Sequence, residues 1–254
     1  MRLIDTHCHF DDISFDPDRA QLVQQMQALG VSDLVLPAVT AASWQGLSDL
    51  CASAPYLHAS YGLHPIYLAE HHDPHLRELA AWLGTGQAVA VGECGLDFFL
   101  PGLDVDRQTA LFVAQLRLAR DFDLPVVIHA RRSVDQVIRE VRRVGGLRGV
   151  VHSFAGSQQQ AEMLIAQGFC LGVGGTVTYE RAQRLRRVVA AVPAEAILLE
   201  TDAPDQPDSA WRGQRNDPCR LPVVAAVVAE LRGVTIAQLA ATTTANACCL
   251  FGID

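Results

Sequence analysis

The chain lacks several features that would have narrowed its class in other directions. Its seven cysteines include no Cys-x-x-Cys pair, and their number is odd. This argues against a disulfide framework and the usual zinc-ribbon spacing, and the thiols read as reduced and mostly buried. No apolar run reaches the ~18 residues needed to span a bilayer. The first apolar segment begins almost at Met1 and leaves no room for a signal peptide, so the expected location is the cytoplasm. Charged residues make up 19% of the chain, too few for a disordered polymer. There is no linker, low-complexity tract or composition break, which points to one domain over residues 1–254 and gives no reason to expect more than a monomer. A formal charge of −8 argues against coating of duplex nucleic acid, which requires a positive surface. It is compatible with a local phosphate site, because bound cations reverse the local sign. No Gly-x-Gly-x-x-Gly follows the first apolar run, which disfavours a dinucleotide-binding fold.

What the chain does contain is an alternation, repeated about eight times, of short apolar runs with amphipathic stretches. The runs predict strands over Arg2–His7, Asp33–Val39, Leu57–Gly62, Ala88–Glu93, Pro125–His129, Gly149–His152, Phe169–Val173 and Ala196–Thr201. Several are nearly continuous in hydrophobicity, as strands buried on both faces are. Helices are predicted over Pro17–Leu29, Arg107–Phe122, Ser133–Val144, Ser157–Gln167, Arg181–Val192, Leu221–Leu231 and Ile236–Leu250. The first is expected to be capped by Asp16 with Pro17 at its first position. Strand–helix alternation of this kind means a parallel sheet. Eight strands in about 250 residues favour a closed (β/α)8 TIM barrel within the α/β class.

The ends of these runs carry polar residues. Asp5, His7 and His9 alternate along the first and should share a face, with Cys8 aimed away. Later runs end in His64, Glu93, His129, His152 and Asp202. A barrel brings all these ends to one mouth, where such folds place their active sites. One histidine after an apolar run is usually a hydrogen-bonded core residue; so many strands ending in His, Glu or Asp are hard to explain as packing. Four imidazoles and two carboxylates suit two divalent ions, zinc, manganese or magnesium. Glu93 is central in strand order, where one carboxylate could bridge both ions. Two ions ~3.5–4 Å apart can lower the pKa of a water and clamp the attacking and leaving oxygens of a displacement. His64 and Arg131 are weaker candidates for contacts to a phosphate; arginine suits phosphate oxygens bidentately. Asp5 is expected to brace the site, and Asp97 to orient a loop or a ligand histidine.

These residues resemble a known family. Asp5-Thr6-His7-Cys8-His9-Phe10, Gly62-Leu63-His64-Pro65, Val91-Gly92-Glu93-Cys94-Gly95-Leu96-Asp97, Pro125-Val126-Val127-Ile128-His129 and Glu200-Thr201-Asp202-Ala203-Pro204, in this order and spacing, are similar to the TatD-type metal-dependent hydrolases of the amidohydrolase superfamily, and within them to the YjjV-like subgroup. The resemblance covers the whole chain. It implies that His7 and His9 bind one metal with Asp202, that His129 and His152 bind the second, and that Glu93 bridges them. Asp202 would also shuttle the proton of the attacking water, and the implied reaction is phosphodiester hydrolysis, a DNase activity on DNA ends or small phosphodiesters. The chain departs from the common pattern after the last strand, where Asn216-Asp217-Pro218 stands in place of Asn-Glu-Pro. That loop borders the mouth, so substrate preference is left open. The rival readings are hydrolysis of a small ester or amide on the same scaffold, and a metal-stabilised scaffold without catalysis.

Overall fold

A computed structural model describes residues 1–254 and contains all eight expected strands. They are β1 (Leu3–Asp5), β2 (Val31–Pro37), β3 (Leu57–Tyr61), β4 (Ala90–Asp97), β5 (Val126–Arg131), β6 (Gly149–Val151), β7 (Phe169–Val173) and β8 (Ile197–Leu199). Every neighbouring pair is parallel, and the order in the sheet is the order in the chain. The ring closes where the Thr6 amide donates to the Leu199 carbonyl at 3.0 Å and the Asp202 amide to the His7 carbonyl at 2.8 Å. This is the (β/α)8 barrel that the alternation predicts.

Nine helices pack around it: α1 (Arg19–Ala28), α2 (Trp44–Ala52), α3 (Asp73–Leu83), α4 (Val105–Asp121), α5 (Val134–Val144), α6 (Gln158–Ile165), α7 (Gln183–Ala191), α8 (Leu221–Arg232) and α9 (Ile236–Phe251). Two of them, α2 and α3, lie outside the sequence reading. Helix α2 has only nine residues and holds Gly46, a weak helix former. Helix α3 does carry a signal: Pro74 in its first turn, and Leu76, Leu79 and Leu83 at helical spacing. The start of α1 is also corrected. Asp16 ends a short 3-10 turn over Ile13–Phe15, and Asp18, not Asp16, precedes the helix.

Two apolar cores fill the barrel. The larger lies between strands and helices. The smaller contains Ile4, Val35, Ala90, Val127, Val150 and Leu198, one residue from each of six strands, together with Leu250, Phe251 and Ile253. The C-terminal end of α9 thus packs with the barrel interior, away from the catalytic mouth, and one end of the barrel is left for polar chemistry. No single helix is long and apolar enough to cross a membrane.

Candidate metal centre

The sequence reading places Asp5, His7 and His9 on one strand face. The strand in fact stops at Asp5, and the two histidines lie just beyond it. The chain there is held by its amides: Thr6 donates to Leu199, Cys8 to Val35 at 3.1 Å and His9 to Ala203 at 2.8 Å. The ring nitrogens still converge, with His7 Nε2 and His9 Nε2 3.3 Å apart. Asp5 does not join them. Its carboxylate accepts from the His7 amide at 3.3 Å, from the Thr201 amide at 2.9 Å and from the Thr201 hydroxyl at 2.6 Å, tying β1 to the end of β8. Burial pushes its carboxyl up to about 7. Cys8 points away, its thiol donating to the Ala203 carbonyl at 3.8 Å.

Glu93 lies at the centre, fully enclosed, and its two oxygens face different partners. Oε2 is 3.2 Å from His7 Nε2 and 3.5 Å from His9 Nε2. Oε1 is 2.8 Å from His152 Nε2, 3.1 Å from His129 Nδ1 and 3.0 Å from His64 Nε2. Two glycines let β4 bring the carboxylate this close to β5. A Cβ on Gly92, at φ 140°, would stand 2.4 Å from the Val127 carbonyl oxygen; one on Gly95, at φ 144°, would stand 2.1 Å from that of His129. The Gly-Glu-Cys-Gly sequence is therefore a packing requirement of the site.

Asp202 Oδ1 completes the first group, 3.4 Å from His7 Nε2 and 3.7 Å from His9 Nε2. Its other oxygen accepts from the Gln206 amide, which also donates to Ser153 Oγ at 2.8 Å. Asp202 has φ 58°, a left-handed conformation that L-residues rarely hold without a reason in the surrounding structure. Burial raises the Asp202 carboxyl above its ordinary range, against the pull of His152 and His9.

Histidine tautomers follow from the hydrogen bonds. His129 Nε2 donates to Asp97 Oδ2 at 3.1 Å, which leaves Nδ1 as the lone pair facing Glu93 and His152 Nε2. Asp97 is fixed in turn by the Phe99 and Leu100 amides at 2.8 and 3.0 Å. Burial would raise its carboxyl, but the His129 bond and these amides outweigh that and hold it down to about 2. His64 Nδ1 accepts from the Ile66 amide at 3.2 Å, so its Nε2 carries the hydrogen and donates to Glu93. His64 is buried beside Glu93 while still lining the mouth. Burial disfavours charge on His152, yet Glu93 more than reverses this and raises its pKa to about 10.

The donor set fits divalent cations. Imidazole nitrogens and carboxylate oxygens meet in three overlapping groups, His7–His9–Asp202, His7–Glu93–His152 and His64–Glu93–His129. Every ion-pair partner of Glu93 and Asp202 is a histidine, and no arginine reaches them. The chain has no lysine at all, so no lysine-derived carboxylate can serve as bridge and Glu93 alone has that position.

Other residues extend the site. Arg131 is exposed on the mouth, its guanidinium 3.7 Å over the Phe99 ring. Glu200 is buried under Gly172, accepts the Ser153 amide at 2.5 Å and is pushed up to about 8 by burial. Neither the role of Gln206 nor that of Glu200 has a signal in sequence; only their neighbours in the chain do. The loop after β8 is pinned by Asn216, which donates to the Thr201 and Asp205 carbonyls at 2.9 and 2.8 Å. Arg215 in that loop is committed to Asp18, and Trp211 Nε1 donates to the Arg215 carbonyl at 2.9 Å.

A (β/α)8 barrel with this histidine–carboxylate cluster at its mouth defines the class of metal-dependent hydrolase barrels. Within that class the chain belongs to the TatD family: the family model described as TatD related DNase matches residues 4–252. The chain is 41% identical to the uncharacterized metal-dependent hydrolase YjjV of Escherichia coli over 99% of its own length and 98% of the relative's. The crystal structure of that TatD homologue superposes with a TM-score of 0.95 at 40% identity, covering 100% of this chain and 99% of the other. A relative from Erwinia amylovora named 3'-5' ssDNA/RNA exonuclease TatD is 34% identical over 99% of this chain and 100% of its own.

Proposed function

We propose that this protein, as a single cytoplasmic domain over residues 1–254, hydrolyses phosphodiester bonds in DNA ends or small nucleotide substrates with two divalent metal ions. His7, His9 and Asp202 would hold one ion, His129 and His152 the other, and Glu93 both. The observation that carries this reading is the division of the Glu93 oxygens, Oε2 toward His7 and His9 and Oε1 toward His129 and His152. When bound, the ions supply Lewis acidity that lowers the pKa of a water and offsets charge on the phosphoryl oxygens.

The chain's own groups do the rest. Asp202 takes the proton of the attacking water, and Gln206 holds the carboxylate at the angle this needs. His64 donates to Glu93 and keeps it from swinging toward the mouth. Arg131 offers an uncommitted guanidinium to the phosphate oxygens. Asp97 fixes His129 as an Nδ1 donor, so Asp97→Ala should weaken the second metal site by about 10–100-fold. Metal titration against a competing chelator would measure this, and an unchanged affinity would remove the orienting role.

The reading is tested by loading metal-free protein with manganese, zinc or magnesium and supplying a labelled single-stranded oligonucleotide. Cleavage should appear with metal, vanish with chelator and return on reloading. Intact protein with two ions bound per chain and no cleavage would refute it. Far faster turnover of a small carboxylic ester or cyclic amide would assign the site to that substrate class instead.

A further inference from the structure

The charge of the chain is unevenly placed. All twenty basic residues are arginine. Residues 131–187 hold ten of them against four carboxylates, a net charge of +6, while the rest of the chain holds ten against twenty-four, a net −14. This stretch is one sector of the barrel, from the end of β5 through α5, β6, α6 and β7 into α7. The mouth is divided accordingly. Arg131, Arg132 and Arg184 line it on one side, and Asp11, Asp12 and Asp205 line it on another.

Two of these arginines are held in place with no carboxylate to neutralise them. Arg132 has φ 56°, and its guanidinium lies 4.7 Å over the Phe99 ring. Arg184 donates from Nη2 to the Ala155 carbonyl at 2.8 Å, which anchors the fork and leaves its other hydrogens free. Anchored guanidinium forks facing water are prepared for oxyanions. The cavity they border has a volume of 1170 Å³, above the about 300–1,000 Å³ of ordinary small-ligand sites.

We propose that Arg132 and Arg184 form a track for the phosphate backbone of the uncleaved part of a single strand, which leaves the metal centre over the β5–α7 sector. The proposal rests on the phosphodiesterase reading and adds a direction and a strand class to it. A stiff duplex lying across the mouth would set phosphates against Asp11, Asp12 and Asp205. A flexible single strand leaves over the basic side alone and avoids them. The same division explains how a protein of net charge −8 can hold a polyanion: the field that matters is that of the sector, screened from the acidic remainder beyond about 10 Å at ordinary salt.

The test is binding of a fluorescent, hydrolysis-resistant phosphorothioate oligothymidine to the metal-loaded protein, followed by anisotropy over a range of salt. The double variant Arg132→Ala/Arg184→Ala should raise Kd roughly tenfold at low salt and flatten the slope of log Kd against log salt by about two. Arg132→Gln/Arg184→Gln, which retains most of each side-chain stem, should do the same if charge is the cause. Arg77→Ala/Arg117→Ala, an equal charge change at exposed positions of α3 and α4, should leave the slope as it is. An unchanged slope in the first two variants, an equal loss in the third, or no binding by the unaltered protein would overturn the proposal. Arginine-dependent binding without any cleavage of a natural oligonucleotide would refute the phosphodiesterase reading and leave the track standing. Cleavage with an unchanged slope would do the reverse.

Discussion

Glu93→Gln should lower kcat by at least about 10³-fold, roughly 4 kcal/mol of transition-state stabilisation, and should also lower the metal content below two ions per chain. The two effects share a cause. Glutamine has nearly the same volume, so the Gly92 and Gly95 approaches that admit residue 93 are undisturbed. What changes is charge and acceptor count. One of the two terminal atoms becomes an NH2, which has no lone pair for a metal and would face either the His7–His9 group or the His129–His152 group. His64, which donates to Oε1, would then meet a weaker neutral acceptor or a second donor. Metal analysis beside steady-state kinetics measures both quantities. A variant that keeps two ions and near-normal turnover would show that the carboxylate is not the shared ligand. A scaffold that used metal only for stability would retain its fold and any binding function in this variant while having no kcat to lose.

The barrel and most of the metal candidates were legible in the sequence for a simple physical reason. Buried parallel strands must be apolar along their length, so a polar residue at the end of one stands out. His7, Glu93, His129, His152 and Asp202 each follow such a run, and all of them meet. Strand alternation was a poorer guide to detail. It grouped Asp5 with His7 and His9, yet Asp5 turns to Thr201, because hydrogen bonds to the Thr201 amide and hydroxyl satisfy a buried carboxylate there. The residues that tune the ligands were harder to find. Gln206 reaches Asp202 from within an irregular loop, and Glu200 reaches Ser153 across the strand order. Contacts of that kind depend on backbone conformations, such as φ 48° at Gln206, that no periodicity encodes. Asp97 is the intermediate case: its place at the end of β4 suggested an orienting role, and its bond to His129 Nε2 supplies the geometry for one.

Asp202→Asn should reduce kcat by about 10²–10⁴-fold, the usual worth of a positioned general base, while leaving the fold intact. Asparagine preserves the shape at φ 58°, a conformation it tolerates better than most residues. It also keeps one oxygen for the His7–His9 group, so metal content should fall less than in Glu93→Gln. The proton acceptor is lost, and the pH profile reports that loss. A carboxylate base works only when ionised, so activity in the unaltered protein should rise with pH through the Asp202 pKa. Burial raises that pKa, and the hydrogen bond from Gln206 lowers it by favouring the charged form. Removing the bond in Gln206→Ala should therefore move the acid limb of kcat/KM to higher pH while the limb persists. In Asp202→Asn the limb should disappear, leaving a low rate that varies little with pH on the acid side. This pair of profiles separates a base from a mere ligand, because a ligand role alone predicts weaker metal binding in both variants with no displacement of the limb at saturating metal. Such an outcome would assign proton transfer to another group.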